Sequence, residues 1–429
     1  MSTTLTGGYK QKILVVGLGY VGLPLAVALS EKFRVDGFDL NMRRVSEIKN
    51  LTDRNKSVDQ EELKSFVDQA VVTNNLAELS SADVFIVTVP TPVSEDNKPD
   101  MALLLSACEM IGGILKKGCT VIFESTVYPG VTRNVCVPVL EACSGLIGGV
   151  DFYFGYSPER VNPGDSLHGF AAITKVYAGC CATSNALMDL IYGAVVDGNT
   201  YKAATIEVAE AAKVIENTQR DLNIALMNEL SMIFDRLDID TEEVLKAAST
   251  KWNFMPFYPG LVGGHCIGVD PYYLAHCATS VGIRPEVILA GRNRNELMVQ
   301  FVYDRFKQIY LDRLDLSLIH SNRILIWGVS FKENCPDVRN SKVVDLIELF
   351  KSEFDIDVYD PIAHFEVNPE SFRLLRSLPA LDIYCGIIFA VPHEAFKKDL
   401  EAVNIVSSDQ QVLIDLRGMV PSHMVDFRL

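Results

Sequence analysis

The chain has 429 residues, of which 48% are hydrophobic and 22% charged, and its formal net charge is −16. This length exceeds one ordinary hydrophobic core and predicts roughly two or three domains, while the composition excludes a disordered chain. The acidic balance, without any lysine- or arginine-rich run, argues against nucleic acid and against an anionic membrane as the main partner.

Export, membrane insertion and metal binding are also disfavoured. No uninterrupted apolar stretch is long enough to span a bilayer, and residues 1–12 contain no hydrophobic segment typical of a secretion signal. The ten cysteines form no CxxC pair and join no histidines at metal-ligand spacing. We therefore expect reduced thiols in a cytoplasmic enzyme that has no metal site.

The first part of the chain alternates short β-branched runs with helical patterns. This alternation predicts βαβ units on a parallel sheet. The predicted strands are Ile13–Val16, Arg34–Phe38, Val84–Val89, Thr120–Phe123 and Asp151–Tyr156.

The middle of the chain has a helical pattern. Residues 201–237 contain neither glycine nor proline and predict one long helix. A shorter helix is predicted over residues 241–249, and a third over residues 285–305.

From residue 323 the α/β alternation resumes, with strands predicted in RILIWGVSF, DIDVYDP, YCGIIFAVP and VLIDLRG. The predicted fold class is α/β, with two Rossmann-like doubly wound domains joined by a central helical domain that contains the long helix. We place the first domain at 1–198, the helical domain at 199–305 and the last domain at 306–429.

A glycine motif follows the first predicted strand and enters a predicted helix. Gly17, Gly19 and Gly22 form GxGxxG in the context that a dinucleotide-binding turn requires. Asp39 ends the next strand, where a carboxylate can bind the ribose hydroxyls of NAD and repel the extra phosphate of NADP. Arg43 and its neighbour Arg44 keep NADP open as an alternative.

Cys266 lies in the segment PGLVGGHCIGVD, residues 259–270, where glycines and a proline surround one thiol. Glycine lets the backbone approach a ligand closely and adopt turns closed to other residues. A thiol presented on such a loop, in a chain that also predicts a redox cofactor, favours covalent oxidation chemistry. The other nine cysteines are interpreted as small buried apolar residues.

Three polar residues of the long predicted helix share one face. Lys213, Asn217 and Arg220 are spaced i, i+4 and i+7. Two cations and an amide in line suit a phosphorylated or hydroxyl-bearing substrate, and a buried lysine can serve in proton transfer. From the helix alone, a solvated polar face remains equally open.

Three loops follow predicted strands and therefore lie at the carboxyl edge of the sheet, where open α/β folds bind ligands. FESTVYPG at 123–130 contains Thr126, YSPERVNPG at 156–164 contains Glu159, and VPTP at 89–92 places Thr91 near the cofactor. Ordinary turn chemistry is the alternative interpretation of these loops.

Together these segments closely resemble the UDP-glucose/GDP-mannose dehydrogenase family over essentially the whole chain. The matching motifs occur in the family's order: GLGYVG, ESTVYPG, SPERVNPG, KVIEN, GGHCIGVD and SFKENCPDVRNS. Within the family the chain looks most like bacterial 6-dehydrogenases of UDP-N-acetylglucosamine and UDP-N-acetylgalactosamine. UDP-glucose members usually carry phenylalanine-leucine where this chain has Arg160 and Val161, and a lysine where it has Val269.

The resemblance implies a four-electron oxidation of the sugar C6 alcohol to a carboxylate, using two molecules of NAD. Cys266 would attack the C6 aldehyde as a thiolate, and the resulting thiohemiacetal would be oxidised to a thioester that water hydrolyses. Lys213 would exchange protons and stabilise the oxyanion, assisted by Asn217. Glu159 would serve hydrolysis, and Thr126 with Asp270 would orient a water.

The resemblance also implies binding residues and a homodimer that forms through the helical region. The cofactor contacts carried over, with the glycine turn, are Gly17, Gly19, Tyr20, Val21, Gly22, Asp39, Arg44, Thr91 and Thr126. The substrate contacts are Arg160, Val161, Lys213, Asn217, Arg220, Lys251, Gly263, Phe331, Lys332, Arg339 and Arg417. The last domain would bind the UDP-sugar, and the downstream pathway would be capsule or O-antigen synthesis.

Several alternatives stay open. UDP-N-acetylmannosamine and UDP-glucose are alternative substrates. The gluco, galacto and manno N-acetyl epimers differ by a single hydroxyl or amide orientation. A two-electron alcohol dehydrogenase with an inert Cys266 would release one NADH per substrate. A non-catalytic sensor of NAD or of a nucleotide sugar would keep the glycine motif and form no NADH.

Overall fold

The computed structural model describes residues 11–55, 57–79, 81–94, 96–160, 172–196, 199–264, 266–315, 319, 321–365, 369–402 and 409–429. Its contacts divide the chain into two compact units. The first unit comprises the residues up to Glu216 together with Tyr272–Ile283, and the second comprises Asn217–Pro271 and Arg284–Leu429. The three domain boundaries expected from the sequence stay predictions.

The first unit contains an eight-stranded sheet in the order β3-β2-β1-β4-β5-β6-β7-β8. Its strands are β1 Lys12–Val16, β2 Arg34–Phe38, β3 Val72–Thr73, β4 Val84–Val87, β5 Thr120–Phe123, β6 Tyr153–Tyr156, β7 Lys175–Gly179 and β8 Thr200–Lys202. Its helices are α1 Gly22–Ser30, α2 Met42–Lys49, α3 Gln60–Val67, α4 Ala102–Gly112, α5 Val137–Ser144 and α6 Ala182–Gly193.

The strand order of this sheet reverses between β1 and β4, which is the switch point of a doubly wound fold. Alternate residues of β1 supply the two faces of the sheet, with Leu14 and Val16 in one apolar cluster and Ile13 and Val15 in another. Burial on both faces explains why the strands read as continuous apolar runs.

The parallel sheet predicted from the sequence is correct except at one pair. β7 runs antiparallel to β6, while the other neighbouring pairs of this sheet are parallel. The strands β3, β7 and β8 were not predicted, because they are short or carry polar residues.

Four further helices follow: α7 Ile206–Leu237, α8 Thr241–Ser249, α9 Asp270–Ser280 and α10 Glu286–Asp315. The long helix is confirmed, but its predicted start at residue 201 is wrong. Residues 200–202 pair with β7 as β8, and Thr205 then accepts a hydrogen bond from Val208 N at 3.2 Å through its hydroxyl. This hydroxyl supplies the missing acceptor at the start of the helix.

The second unit contains a six-stranded sheet in the order β11-β10-β9-β12-β13-β14, with its neighbouring strands parallel. Four of these strands match the four predicted segments, and the three- and two-residue strands β11 and β14 were missed. The strands are β9 Arg323–Trp327, β10 Asp355–Tyr359, β11 Arg373–Leu375, β12 Gly386–Phe389, β13 Val412–Asp415 and β14 Phe427–Arg428, and the helices are α11 Lys342–Phe350 and α12 Lys397–Ala402.

The described residues contain neither a membrane-spanning helix nor a cluster of metal ligands. No helix in the described part of the chain is long and apolar enough to cross a membrane. Within the same residues, no group of three or more histidine, cysteine or acidic side chains could hold a metal ion.

Candidate active site

The glycine motif forms the turn between β1 and α1. Gly17 has a φ of +95°, which L side chains rarely adopt, and a Cβ at Gly22 would lie 1.8 Å from the Gly17 carbonyl oxygen. Thr88, at the end of β4, donates its hydroxyl hydrogen to that oxygen at 2.6 Å. A Cβ at Gly19 would meet nothing within 4 Å. The turn is therefore tight on its protein side and open at Gly19, as close approach of a pyrophosphate requires.

Asp39 directly follows β2 and lies beside this turn. Its two carboxylate oxygens accept hydrogen bonds from the backbone N–H groups of Leu18 and Asn41, each at 2.8 Å. The carboxylate is thereby held in one orientation next to the glycine turn and remains half-buried. A turn open to a pyrophosphate, followed by a fixed acidic residue at the end of the next strand, fits NAD.

Arg44, a predicted cofactor contact, lies against the glycine turn. Its guanidinium is buried, donates from Nε to the Leu18 carbonyl at 2.7 Å, and lies 2.8 Å from a carboxylate oxygen of Asp53. Burial raises the pKa of Asp53, but hydrogen bonds from Ser57 and the charge of Arg44 outweigh burial and lower it. Arg44 therefore supports the turn through its hydrogen bond to Leu18. Tyr20 and Val21, two further predicted cofactor contacts, are half-buried just before α1.

A side-chain hydroxyl joins the loops that follow β4 and β5, and a tyrosine of α9 bonds to the first of them. The Thr91 hydroxyl donates to the Thr126 carbonyl at 2.7 Å, and the Tyr273 hydroxyl donates to the Thr91 carbonyl, also at 2.7 Å. The structure thus brings together two residues that the sequence placed at the same sheet edge.

Glu159 lies beside a buried ion pair that the sequence did not reveal. The Lys175 ammonium is 2.6 Å from Oε2 of Glu124 and 3.6 Å from Oε2 of Glu159. The other Glu124 oxygen accepts a hydrogen bond from the Tyr192 hydroxyl at 2.5 Å. Burial raises the pKa of Glu124, an effect that the charge of Lys175 opposes. Burial and the charge of Glu124 raise the pKa of Tyr192.

Arg160 follows Glu159 and forms an ion pair and a hydrogen bond with other parts of the first unit. Its guanidinium lies 2.9 Å from a carboxylate oxygen of Glu216 and donates to the Thr174 carbonyl, also at 2.9 Å. Val161, the neighbouring predicted substrate contact, lies outside the described residues.

Helix α7 carries Lys213, which is 9% exposed and therefore too buried for a solvated polar face. One turn earlier, the buried carboxylate of Glu210 accepts hydrogen bonds from the backbone N–H groups of Gly130 and Thr132 at 2.6 and 2.9 Å. These bonds join the helix to the loop that follows β5. Burial raises the pKa of Glu210, although the hydrogen bonds to the ionised form oppose the change.

In the second unit, the loop that carries Cys266 packs against the segment after β9. Gly264 has a φ of +85° and donates its backbone hydrogen to the Asn340 carbonyl at 2.9 Å. A Cβ at Gly263 would lie 2.4 Å from that same oxygen, and one at Gly264 would lie 2.6 Å from the ring of Phe331. Close packing therefore requires glycine at positions 263 and 264. Cys266, which is half-buried, lies two residues after this fixed turn.

The carboxyl side of this loop enters α9 through Asp270. Its backbone N–H donates to the Cys266 carbonyl at 2.9 Å, and its buried carboxylate accepts a hydrogen bond from the Asn217 amide at 2.6 Å. Arg220 in turn donates to the Asn217 carbonyl oxygen at 3.2 Å. Three predicted site residues therefore form one connected group with the backbone of Cys266.

The other predicted substrate contacts of this unit differ in exposure. Phe331 and Lys332 are half-buried, whereas Lys251, Arg339 and Arg417 are exposed. Arg339 forms a paired contact with the nearby Asp337, with Nη2 2.6 Å from Oδ2.

A buried polar network that the sequence analysis missed connects helices α7 and α10. Arg292 and Asp221 form an ion pair in which both side chains are at most 1% exposed. Asn295 donates to Asp221 Oδ1 at 2.8 Å and accepts a hydrogen bond from Asn228 at 2.8 Å. Asp221, Arg292 and Asn295 lie in polar stretches of these helices, NTQRDLN and GRNRNEL, so the sequence does not distinguish a buried network from a solvated face there.

Known proteins provide an independent comparison. The family model for the UDP-glucose/GDP-mannose dehydrogenase NAD binding domain matches residues 11–196. The models for the family's central domain and UDP binding domain match residues 207–297 and 325–422.

Whole-length relatives agree with these matches. The chain is 50% identical over 423 residues to a UDP-N-acetyl-D-glucosamine 6-dehydrogenase from Pseudomonas aeruginosa, covering 97% of this chain and 99% of that protein. It is 45% identical to a protein of the same description from Salmonella typhi, covering 97% and 98%. The solved structure of a UDP-D-ManNAc dehydrogenase from Pyrococcus horikoshii superposes with a TM-score of 0.83 at 28% identity, covering 97% and 98%.

The first unit thus has the fold and the turn of an NAD-dependent dehydrogenase. The chain belongs to the UDP-glucose/GDP-mannose dehydrogenase family, and it binds NAD and a nucleotide sugar.

Proposed function

We propose that the protein oxidises the C6 alcohol of a UDP-N-acetylhexosamine to the carboxylate in two successive steps. The observation that carries this proposal is the thiol of Cys266, held on a loop whose glycines are fixed against Asn340. Relatives described as UDP-N-acetyl-D-glucosamine 6-dehydrogenases, at 45% and 50% identity over nearly the whole chain, support this class of substrate.

Each reacting group has a role in this proposal. When bound, NAD supplies the hydride acceptor for the two oxidations. Lys213 accepts the C6 hydroxyl proton during the first oxidation, because a buried lysine can exchange protons readily. Cys266 attacks the resulting aldehyde carbon as a thiolate and forms a carbon–sulfur bond. The second oxidation converts this thiohemiacetal to a thioester.

Hydrolysis then breaks the carbon–sulfur bond and returns the thiol. Glu159 takes a proton from the attacking water, and Thr126 and Asp270 orient that water. Asn217 and Lys213 stabilise the negative charge that develops on the C6 oxygen. In all, the C6 alcohol and one water become the carboxylate, two hydrides are transferred, and three protons are released, one from the alcohol, one from the thiohemiacetal hydroxyl and one from hydrolysis.

The stoichiometry of NADH tests the mechanism. We expect two NADH per nucleotide sugar consumed, whereas a two-electron dehydrogenase with an inert thiol would give one. Cys266→Ser should release no carboxylate, while Cys277→Ser, which alters a half-buried cysteine of α9, should behave like the unaltered protein. A ratio near one, or carboxylate release by Cys266→Ser, would contradict the proposal, and no NADH from any UDP-sugar or GDP-mannose would favour the sensor.

The identity of the sugar is tested separately. We expect UDP-N-acetylglucosamine or UDP-N-acetylgalactosamine to have the highest kcat/KM in a panel that also contains UDP-N-acetylmannosamine and UDP-glucose. A preference for either of the last two would replace the proposed substrate and leave the mechanism intact. We place the uronate product in bacterial surface polysaccharide synthesis, on the resemblance to such enzymes.

We further propose a homodimer through the helical region. Leu226, Ile233 and Leu237 lie on one face of α7 at spacings of seven and four residues and are 45–60% exposed. A repeated apolar stripe of this kind suits the same stripe of a second copy. Ile233→Glu should reduce the mass measured by light scattering to that of a monomer, and Leu190→Glu on α6 should not. An unchanged mass for Ile233→Glu would contradict this interface.

A further inference from the structure

We propose that Lys175 is a positioning residue that holds the Glu159 carboxylate for thioester hydrolysis, with Glu124 as its fixed counter-charge. The proposal rests on the function proposed above and adds two residues to it. It also predicts which step fails when the lysine is lost.

The strand pairing explains how Lys175 reaches Glu159. β7 runs antiparallel to β6, with Tyr156 opposite Ala178, so the first residues of β7 extend past the carboxyl end of β6. The Ser157 hydroxyl continues this pairing by donating to the Val176 carbonyl at 2.7 Å. Lys175, the first residue of β7, is thereby placed beside the loop that carries Glu159. The antiparallel pair brings a lysine to the edge where the parallel strands end.

The charges are arranged unequally around this lysine. The side chains of Lys175 and Glu124 are 5% and 0% exposed, whereas that of Glu159 is 12% exposed. Lys175 is an ångström closer to Glu124 than to Glu159, at 2.6 against 3.6 Å. Glu124 therefore compensates the buried cation. Glu159 is the more exposed of the two carboxylates, and its Oε1 accepts a hydrogen bond from Arg160 N at 2.7 Å.

Glu124 is itself fixed from the other side. The Tyr192 hydroxyl donates to its second oxygen at 2.5 Å, and the Lys175 ammonium lies 5.1 Å from the centre of the Tyr192 ring. Both oxygens of the buried Glu124 carboxylate are bonded, one to Lys175 and one to Tyr192, so this carboxylate acts as the counter-charge of the lysine. A buried ion pair contributes little net stability compared with apolar residues of similar size, so its presence beside Glu159 is better explained by a role in the site.

Hydrolysis is the step in which Glu159 must face a water. During that step the carboxylate takes a proton from the water that attacks the thioester carbon, and the carbon–sulfur bond to Cys266 breaks. A carboxylate that has lost its cationic neighbour can rotate away from that water. The oxidations precede this step and do not need Glu159.

The experiment compares the burst of NADH with steady-state turnover in the full-length protein. Lys175→Met should retain a burst of two NADH per active site, while steady-state turnover falls roughly ten- to a hundredfold. Intact-protein mass spectrometry should then show the sugar thioester accumulating on Cys266. A merely structural loss would lower the burst and the steady state together.

The matched control is Lys12→Met. Lys12 begins β1 in the same sheet and lies 2.6 Å from the buried carboxylate of Asp36, but at the opposite, amino-terminal edge. It should leave the burst and the steady state unchanged. A slowed hydrolysis in this variant as well would overturn the assignment to Lys175.

Two further variants keep the proposal falsifiable. In a Glu159→Gln background, Lys175→Met should slow hydrolysis no further, because the lysine acts through Glu159. If Lys175→Met folds poorly, Glu124→Gln combined with Lys175→Met removes both buried charges together and should fold. This double variant should show the same slow hydrolysis. Additive slowing in the first background, or full turnover in the double variant, would overturn the proposal.

The two proposals fail differently. One NADH per sugar from the unaltered protein would contradict the proposed function. Two NADH from the unaltered protein, together with unchanged turnover by Lys175→Met, would contradict only the role of Lys175.

Discussion

Asn228 and Gly260 exchange two hydrogen bonds. The side-chain amide of Asn228 donates to the Gly260 carbonyl at 3.0 Å, and its oxygen accepts the Gly260 N–H at 2.8 Å. One buried side chain of α7 therefore bonds to both backbone polar groups of Gly260, the second residue of the 259–270 segment that carries Cys266. Asn228 also donates to Asn295, so the start of the Cys266 loop is connected to the buried network around Asp221 and Arg292.

Removing this anchor should cost both stability and activity. Asn228→Ala leaves the Gly260 carbonyl and N–H without their partners, which should lower the free energy of unfolding by about 1–3 kcal/mol. Turnover should fall as well, because Gly260 lies near the start of the loop that carries Cys266. Chemical denaturation and steady-state kinetics measure the two effects. Asn223→Ala, which removes a more exposed side-chain bond of the same helix, should change neither, and an unaltered Asn228→Ala would contradict the anchoring role.

The glycines before Cys266 should differ from the one after it. A Cβ at Gly263 would lie 2.4 Å from the Asn340 carbonyl oxygen, so Gly263→Ala should displace the loop and reduce kcat strongly. A Cβ at Gly268 would meet its nearest neighbour at 3.6 Å, which is ordinary contact. Gly268→Ala should therefore retain most of the activity. Thiol alkylation rates and kcat report the difference, and equal effects of the two substitutions would be inconsistent with the observed packing.

Asp39 should control the affinity for NAD. Asp39→Ala removes the acceptor for Leu18 N and Asn41 N as well as the carboxylate expected to bind the ribose. The KM for NAD should rise about tenfold or more, since hydrogen bonds to a charged group contribute about 1.5–3 kcal/mol. NADP should not become a good cofactor, because Arg44 is engaged with Leu18 and Asp53.

Initial rates against NAD and NADP test this prediction. Asp68→Ala, which alters an exposed carboxylate at the end of α3, is the control. Efficient use of NADP by Asp39→Ala would show that Arg44 can leave its buried position.

The second sheet should lose stability in acid through Asp360. Burial raises the pKa of this carboxyl, but hydrogen bonds from His393, Val329 N and Ala363 N outweigh burial and hold it below the ordinary 3.8. Asn334 N donates to Nδ1 of His393 at 2.9 Å, which leaves the Nε2 hydrogen for Asp360.

The sign of the pH dependence follows from this lowered pKa. The stabilisation is fully present above the unfolded-state pKa and is lost as the pH falls through the folded-state pKa. The difference in Tm between the unaltered protein and Asp360→Asn should thus stay constant from pH 7 to about pH 5 and shrink below about pH 4. Asp355→Asn, at the exposed start of β10, should show no such change. A difference that grows in acid would contradict the assignment.

Much of the fold could be predicted because the relevant signals are local. The apolar runs of β1 and β9 are continuous. The boundaries of α8 agree with the structure, because Asp240 caps that helix with its own side chain. The start of α7 could not be predicted, since residues 200–202 are strand only through pairing with β7. Pairing across the chain overrides local helix propensity at these positions.

The candidate site divides in the same way. The glycine turn, Asp39 and the Cys266 loop are short contiguous motifs, and chain order alone predicts their chemistry. Arg44 stays a predicted cofactor contact, and only the tertiary structure shows that its side chain is buried against Leu18 and Asp53.

The sequence by itself determined the two segments of α/β alternation, the dinucleotide turn and the thiol on its glycine loop, because each depends on residues adjacent in the chain. Only the tertiary structure decided that Lys175 meets Glu124, 51 residues away, and that Gly263 has no room beside Asn340. These contacts depend on which strands become neighbours and in which direction they run. Hydrophobic periodicity does not encode either property.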